Sequence, residues 1–189
     1  MDIVERAKKI LLSPKAEWDV IATETSTVQE LFTGYVMILA AIPALASFIG
    51  YSLIGFGGLR VPIAYGVTHL VAAYALSLAF VYVLALVIDH LADNFDGHKD
   101  FAQALKVAAY SPTALWLAGV FSILPATAIL GILGLYSFYL LFLGLPKLMK
   151  VPEPKALPYT AVVVIATIVI WIVFTALAAL AIPGRVRGF

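Results

Sequence analysis

Apolar residues gather in long runs along this chain, and the polar residues between the runs are bunched rather than scattered. The longest run, Val107–Pro146, is forty residues without an Asp, Glu, Lys or Arg, bounded by Lys106 and Lys147. A bilayer's hydrocarbon core is about 30 Å thick, and a helix of about 20 apolar residues crosses it. The run is therefore long enough for two crossings. Its break falls at Ser122-Ile-Leu-Pro125, since a Pro is tolerated in the first turn of a helix, where its missing N–H would have no partner. The pattern predicts a hairpin of membrane helices over 101–122 and 126–145, turned at Pro125. Ahead of it, the chain is uncharged from Leu31 to Leu59. That predicts a span over 28–55, opened by a Thr27-Val-Gln-Glu30 capping box and bent at Pro43. Pro62 opens a further span over 62–91, and a Val-, Ile- and Ala-rich segment predicts a fifth over 157–182. The expected fold is all-α: a polytopic bundle of five transmembrane helices occupying 28–183, with a short tail at 184–189.

The first 27 residues follow another pattern. Ile3, Val4, Ala7, Ile10 and Leu11 recur at helical spacing, with Asp2, Glu5, Arg6, Lys8 and Lys9 on the other side, which predicts a short amphipathic helix over 2–12. Ser13-Pro14 signals a second one carrying Trp18, Val20 and Ile21. Such a segment suits the headgroup layer, with Arg6, Lys8, Lys9 and Lys15 facing anionic lipid and Trp18 as an interfacial anchor. The alternative is that it packs on the protein's own cytoplasmic loops.

Charge settles class and orientation. Charged residues are 12% of the 189, against about 25% in soluble domains, so the chain is an integral membrane protein. A net charge of +1 carries no message about nucleic acid, and no motif calls for a cofactor. With no cysteine there is neither a disulfide framework nor a thiolate site. Residues 1–30 hold six acids and no apolar core, which reads as no secretory signal peptide. Nine of the twelve Lys and Arg residues fall at the N-terminus and in the second and fourth loops. By the positive-inside rule the N-terminus is expected in the cytoplasm and the C-terminus outside.

Three constellations could carry chemistry. Asp89, His90, Asp93 and Asp96 head the densest polar run, and carboxylate with imidazole suits a divalent cation. The run fits neither a calcium hand nor a zinc His-Glu-x-x-His motif, and a solvated loop explains it as well. His69 is ionisable within a span, and with Tyr65 and Ser77 it forms a polar track that would suit an ion or proton path. A hydrogen bond between helices is the favoured role, because one His without a buried acid is a poor relay. Third, Tyr110-Ser111-Pro112, with Trp116 and Tyr136, marks a bend whose freed carbonyl needs a donor, either a ligand pocket or a kink locked by packing. Gly131, Gly134 and Gly144 give the fourth span a small face for close approach.

The strings Lys99-Asp-Phe-Ala-Gln-Ala-Leu-Lys-Val-Ala-Ala-Tyr-Ser-Pro112, Gly134-Leu-Tyr-Ser-Phe-Tyr-Leu-Leu-Phe-Leu-Gly-Leu-Pro-Lys-Leu-Met149 and Lys155-Ala-Leu-Pro-Tyr-Thr160 resemble the bacterial branch of the Yip-one domain family. The likeness runs over most of residues 10–180. It implies five spans with a cytoplasmic N-terminus, the topology that the charge distribution gives independently. The family's eukaryotic Ypt/Rab-interacting members carry an Asp-Leu-Tyr-Gly-Pro signature that this sequence lacks, so their GTPase role does not carry over. The resemblance supplies no catalytic residue. The expected function is a non-enzymatic membrane-organising, scaffold or partner-binding protein, working with the bilayer and with other membrane proteins or further copies of itself. A small oligomeric transporter or channel is the second reading.

Overall fold

The computed structural model describes residues 2–180. Two short helices, α1 (Ile3–Leu12) and α2 (Pro14–Thr23), precede five helices long and apolar enough to cross a membrane. These are α3 (Val28–Ile54), α4 (Ile63–Phe95), α5 (Phe101–Ile123), α6 (Ala126–Leu148) and α7 (Glu153–Leu180). The end of the predicted fifth span and the 184–189 tail lie outside the described residues.

Local chemistry starts and stops these helices. Thr27 accepts from the Glu30 backbone N–H at 3.2 Å while the Glu30 carboxylate takes the Thr27 N–H at 2.8 Å, completing the capping box. Asp100 caps α5 through the Gln103 N–H, but Gln103 does not reciprocate; its amide donates to the Ala22 carbonyl instead. Between α3 and α4 the chain reverses in a tight turn closed by paired bonds between Phe56 and Leu59. Gly57 and Gly58 both have positive φ there (60° and 83°), as a primed turn requires.

The spans are less regular than periodicity implies. α3 contains two π-helical stretches, Phe32–Val36 and Ile49–Ile54, on either side of Pro43. α5 breaks at Ser111-Pro112 and finishes as a 3₁₀ helix over Gly119–Ile123. An eleven-residue 3₁₀ helix, Pro125–Leu135, turns the chain into α6 and forms its first part. Such runs seldom exceed four residues, and each residue rises about 2.0 Å rather than 1.5 Å. Irregular backbone at membrane depth is tolerated where protein buries it or where it borders a cavity. α5 is the axis of the bundle and the most buried of the spans, α7 the least, whereas the 3₁₀ start of α6 turns Ile129, Ile132, Leu133 and Leu135 outward. α3 and α5 touch backbone to backbone: a Cβ on Gly50 would lie 1.9 Å from the Ser122 carbonyl oxygen.

Candidate functional site

Helix α4 runs as regular α-helix for 30 residues, Ile63–Ala92, about 45 Å. That exceeds the hydrocarbon thickness by about 15 Å, an excess that helix tilt can take up. The N-terminal helices dock on α5 and α6. Tyr136 of α6 donates to the Leu11 carbonyl at 3.1 Å, and Tyr136 lies about 18 Å along α6 from Leu148. α1 therefore reaches the middle of α6 rather than its end. α2 lies nearer the helix ends, where Asp19 pairs with Lys147.

The contact is built from buried polar groups. Arg6 is 4% exposed and donates to Glu17 at 2.6 Å and to Glu24. Its guanidinium also stands 5.4 Å from the centre of the Tyr110 ring, a cation–π contact. Burial opposes its charge, but Glu24, Tyr110 and Glu17 outweigh that and hold its pKa above the ordinary value. Lys106, also buried, donates to the carbonyls of Ile21 (3.1 Å) and Glu24. Arg6 alone thus meets both carboxylates, which offset the low-dielectric cost of its charge, whereas Lys106 is held by carbonyl oxygens. Tyr110 packs edge-on against Tyr35 at 4.7 Å and Trp18 at 6.4 Å. At the Ser111-Pro112 break, the Thr113 hydroxyl donates to the Tyr110 carbonyl at 2.6 Å, which leaves Tyr35 to donate to Thr113 at 2.8 Å. A polar cleft of about 770 Å³ opens beside this cluster, bordered by Arg6, Glu24, Thr25, Ser26, Thr33 and Tyr110 among others.

Two expectations for the N-terminal segment need correction. Trp18 is no interfacial anchor: it is fully buried, with its ring so close to Gly144 that a Cβ there would fall 2.7 Å from Cζ2. Arg6 faces inward because Glu17 and Glu24 meet it, although helical period assigns it to the polar side. Lys8, Lys9 and Lys15 remain exposed, Lys9 paired with Glu5 at 2.7 Å.

The loop acids do not assemble into a metal site. No group of three His, Cys, Asp or Glu side chains that could hold an ion is found among the described residues. Asp93 pairs with Lys99 at 2.6 Å and Asp96 with Lys155. His90 is exposed, and Asp89 has a buried Oδ1 without a partner. The His98 N–H donates to the Met149 carbonyl at 2.7 Å, clasping the second loop to the fourth.

The remaining candidates divide between the two ends. Tyr65, His69, Ser77 and Trp116 border one cavity of about 900 Å³ in the half of the bundle away from α1 and α2. Tyr110 and Tyr136 belong instead to the docking of the N-terminal helices, and Ser111 is buried with an unpartnered hydroxyl. His69 makes no hydrogen bond to another described residue, so the favoured bond between helices is not formed; Ser77 donates to its own helix at Tyr74. Sequence reasoning missed Glu17, Glu24, Tyr35 and Thr113 as site residues. It took Lys106 only for a flanking charge, although a cation on the apolar face of α5 signals a buried partner.

Comparison with known proteins places this architecture. A model of the Yip1 domain matches residues 8–174. The chain belongs to the Yip1 domain family. The inner membrane protein YohC of Escherichia coli strain K12 is 31% identical over 157 residues, covering 78% of this chain and 80% of YohC. YohC of Escherichia coli O6:H1 strain CFT073 matches to the same extent. No solved structure matches. With five apolar helices and this relative, the Yip1-domain chain is a multi-pass inner-membrane protein. Its domain match takes in Glu17, Trp18, Glu24 and Lys106, and begins just after Arg6.

Proposed function

We propose that this protein is a non-enzymatic organiser of the inner membrane that offers a rigid platform to a protein partner on the cytoplasmic side. One observation carries the reading: Arg6 ties α1 to α2 through Glu17 and Glu24, and α5 holds that unit through Lys106, which donates to the Ile21 and Glu24 carbonyls, and through the Tyr110 ring beneath Arg6. Surface pairs are worth little, but a buried, mutually satisfied cluster fixes geometry. The platform comprises the outward side of α2, where Lys15, Val20 and Thr23 are exposed, and the clasped second and fourth loops. α1 turns Val4, Lys8 and Leu12 outward, the composition of a helix bordering anionic lipid. The nine-to-three distribution of basic residues supports a cytoplasmic location for this end.

A photo-crosslinking residue tests this at two positions in living cells. At Val20 it should trap a discrete protein adduct, either another membrane protein or a second copy of this chain. At Leu12 it should trap lipid. The Val20 adduct should vanish in Arg6→Ala protein that still inserts in the membrane. Lipid adducts at both positions would contradict the platform. The bordering of the far cavity by His69 is what favours the transporter reading. Proteoliposomes carrying the wild-type chain should show no ion or proton flux, and flux that disappears in His69→Ala would put the transporter first.

A further inference from the structure

The far cavity stands apart from the platform and has its own chemistry. About 900 Å³ falls within the usual range of small-molecule sites, about 300–1,000 Å³. Irregular backbone converges on it: the π-helical turn of α3 contributes Ser52, the 3₁₀ end of α5 contributes Ser122, and the 3₁₀ start of α6 contributes Gly131. Its wall is mostly aromatic and aliphatic, and among the described residues no Asp, Glu, Lys or Arg borders it. Its polar side chains are neutral, Ser47, Ser77, Ser122 and Thr175 among them. His69 has no described partner, and Ser52 is 5% exposed with an unbonded Oγ. The Ser52 hydroxyl is closed off against Gly66 of α4, where a Cβ would fall 2.0 Å from its Oγ, which leaves His69 on the open side of the cavity. The rim is open, Tyr65 and His69 both being exposed, and it lies about 9 Å along α4 from Ile63.

We infer that this cavity binds a single-chain amphiphile with an uncharged hydrogen-bonding head. Its hydrocarbon lies along Trp116 and the aromatic wall, and its hydroxyl or amide meets His69. A charged head would sit in a low-dielectric site with no countercharge among the described residues, which disfavours fatty-acid anions and phospholipid headgroups at the polar end.

The test uses two photoactivatable probes on purified full-length protein in nanodiscs: a sixteen-carbon alcohol and the corresponding alkyl sulfate, both at trace concentration. The alcohol should label peptides spanning 65–80 and 112–122 saturably, and excess unmodified hexadecanol should displace it. His69→Leu keeps the volume and removes the polar contact, so labelling should weaken by roughly tenfold, the size of one lost hydrogen bond. Ala73→Trp fills the wall one turn from His69 and should abolish labelling, with thermal stability measured alongside to show that the bundle is intact. The sulfate should not label these peptides. Unsaturable labelling spread over exposed positions outside these peptides, such as Ile129 and Ile165, would overturn the inference, as would undiminished labelling in folded Ala73→Trp protein. Equal labelling by the sulfate would overturn the uncharged head.

Discussion

Arg6→Ala should be among the most damaging single substitutions in this protein, lowering its stability by about 3–5 kcal/mol, the cost of breaking a buried ion pair and stranding its partners. Glu17 is as deeply buried as Arg6, with side-chain exposures of 6% and 5%. Without the guanidinium its carboxylate either ionises unpaired in a low-dielectric site or takes up a proton. Either course loosens α1 and α2 from Tyr110 and Lys106. The loss should be measurable as earlier thermal unfolding in detergent, and as a red shift of Trp18 fluorescence once Trp116 and Trp171 are replaced by Phe. Arg6→Lys keeps the charge but cannot reach two carboxylates in fork geometry, so it should fall between wild type and Ala. An Arg6→Ala protein of wild-type stability with an unshifted Trp18 would show that the cluster does not fasten the helices.

Trp18→Ala should cost a similar amount, about 3–5 kcal/mol, for a different reason. Its Nε1 has no partner, so truncation removes packing and leaves a cavity without breaking a hydrogen bond. Trp18→Phe should recover most of the loss. The opposing surface predicts the converse: Gly144→Val places a branched Cβ inside the indole, which a rigid ring cannot evade, so Gly144→Val should displace α2 much as Trp18→Ala does. Combined, the two changes should cost less than the sum of their separate effects, because they remove the same contact. Additive losses would mean that Trp18 and Gly144 act through separate neighbours.

These two sites also mark where the sequence stops being readable. The five spans were legible because the bilayer admits only helices of sufficient apolar length, and the Thr27–Glu30 capping box was legible because it is local. Arg6 was not, since its partners lie 11 and 18 residues further along the chain, and nothing in the period of α1 says which face meets them. Trp18 read as a membrane anchor because an aromatic beside lysines fits a headgroup layer as well as it fits a glycine on another helix. The π and 3₁₀ stretches were invisible for a related reason: they depend on how α3, α5 and α6 pack, and Pro43 or Gly131 alone does not specify them. Among the site candidates, Tyr65, His69, Ser77 and Trp116 came together, the first three following from helical spacing on α4. Tyr110 and Tyr136 did not join them, because their hydroxyl-bearing rings serve α1 and α2, whose position on the bundle no periodicity encodes.

The docking of α2 on the near end of α6 is the feature on which the platform depends, and a cross-link measures it directly. The chain has no cysteine, so a pair introduced at Asp19→Cys and Lys147→Cys reports without background. A short bis-maleimide applied to intact membranes should join them in high yield, since these side chains form an ion pair in the structure, and Arg6→Ala should lower that yield. Cysteines at 19 and 147 that each react with a monofunctional maleimide but are never joined would contradict the docked arrangement.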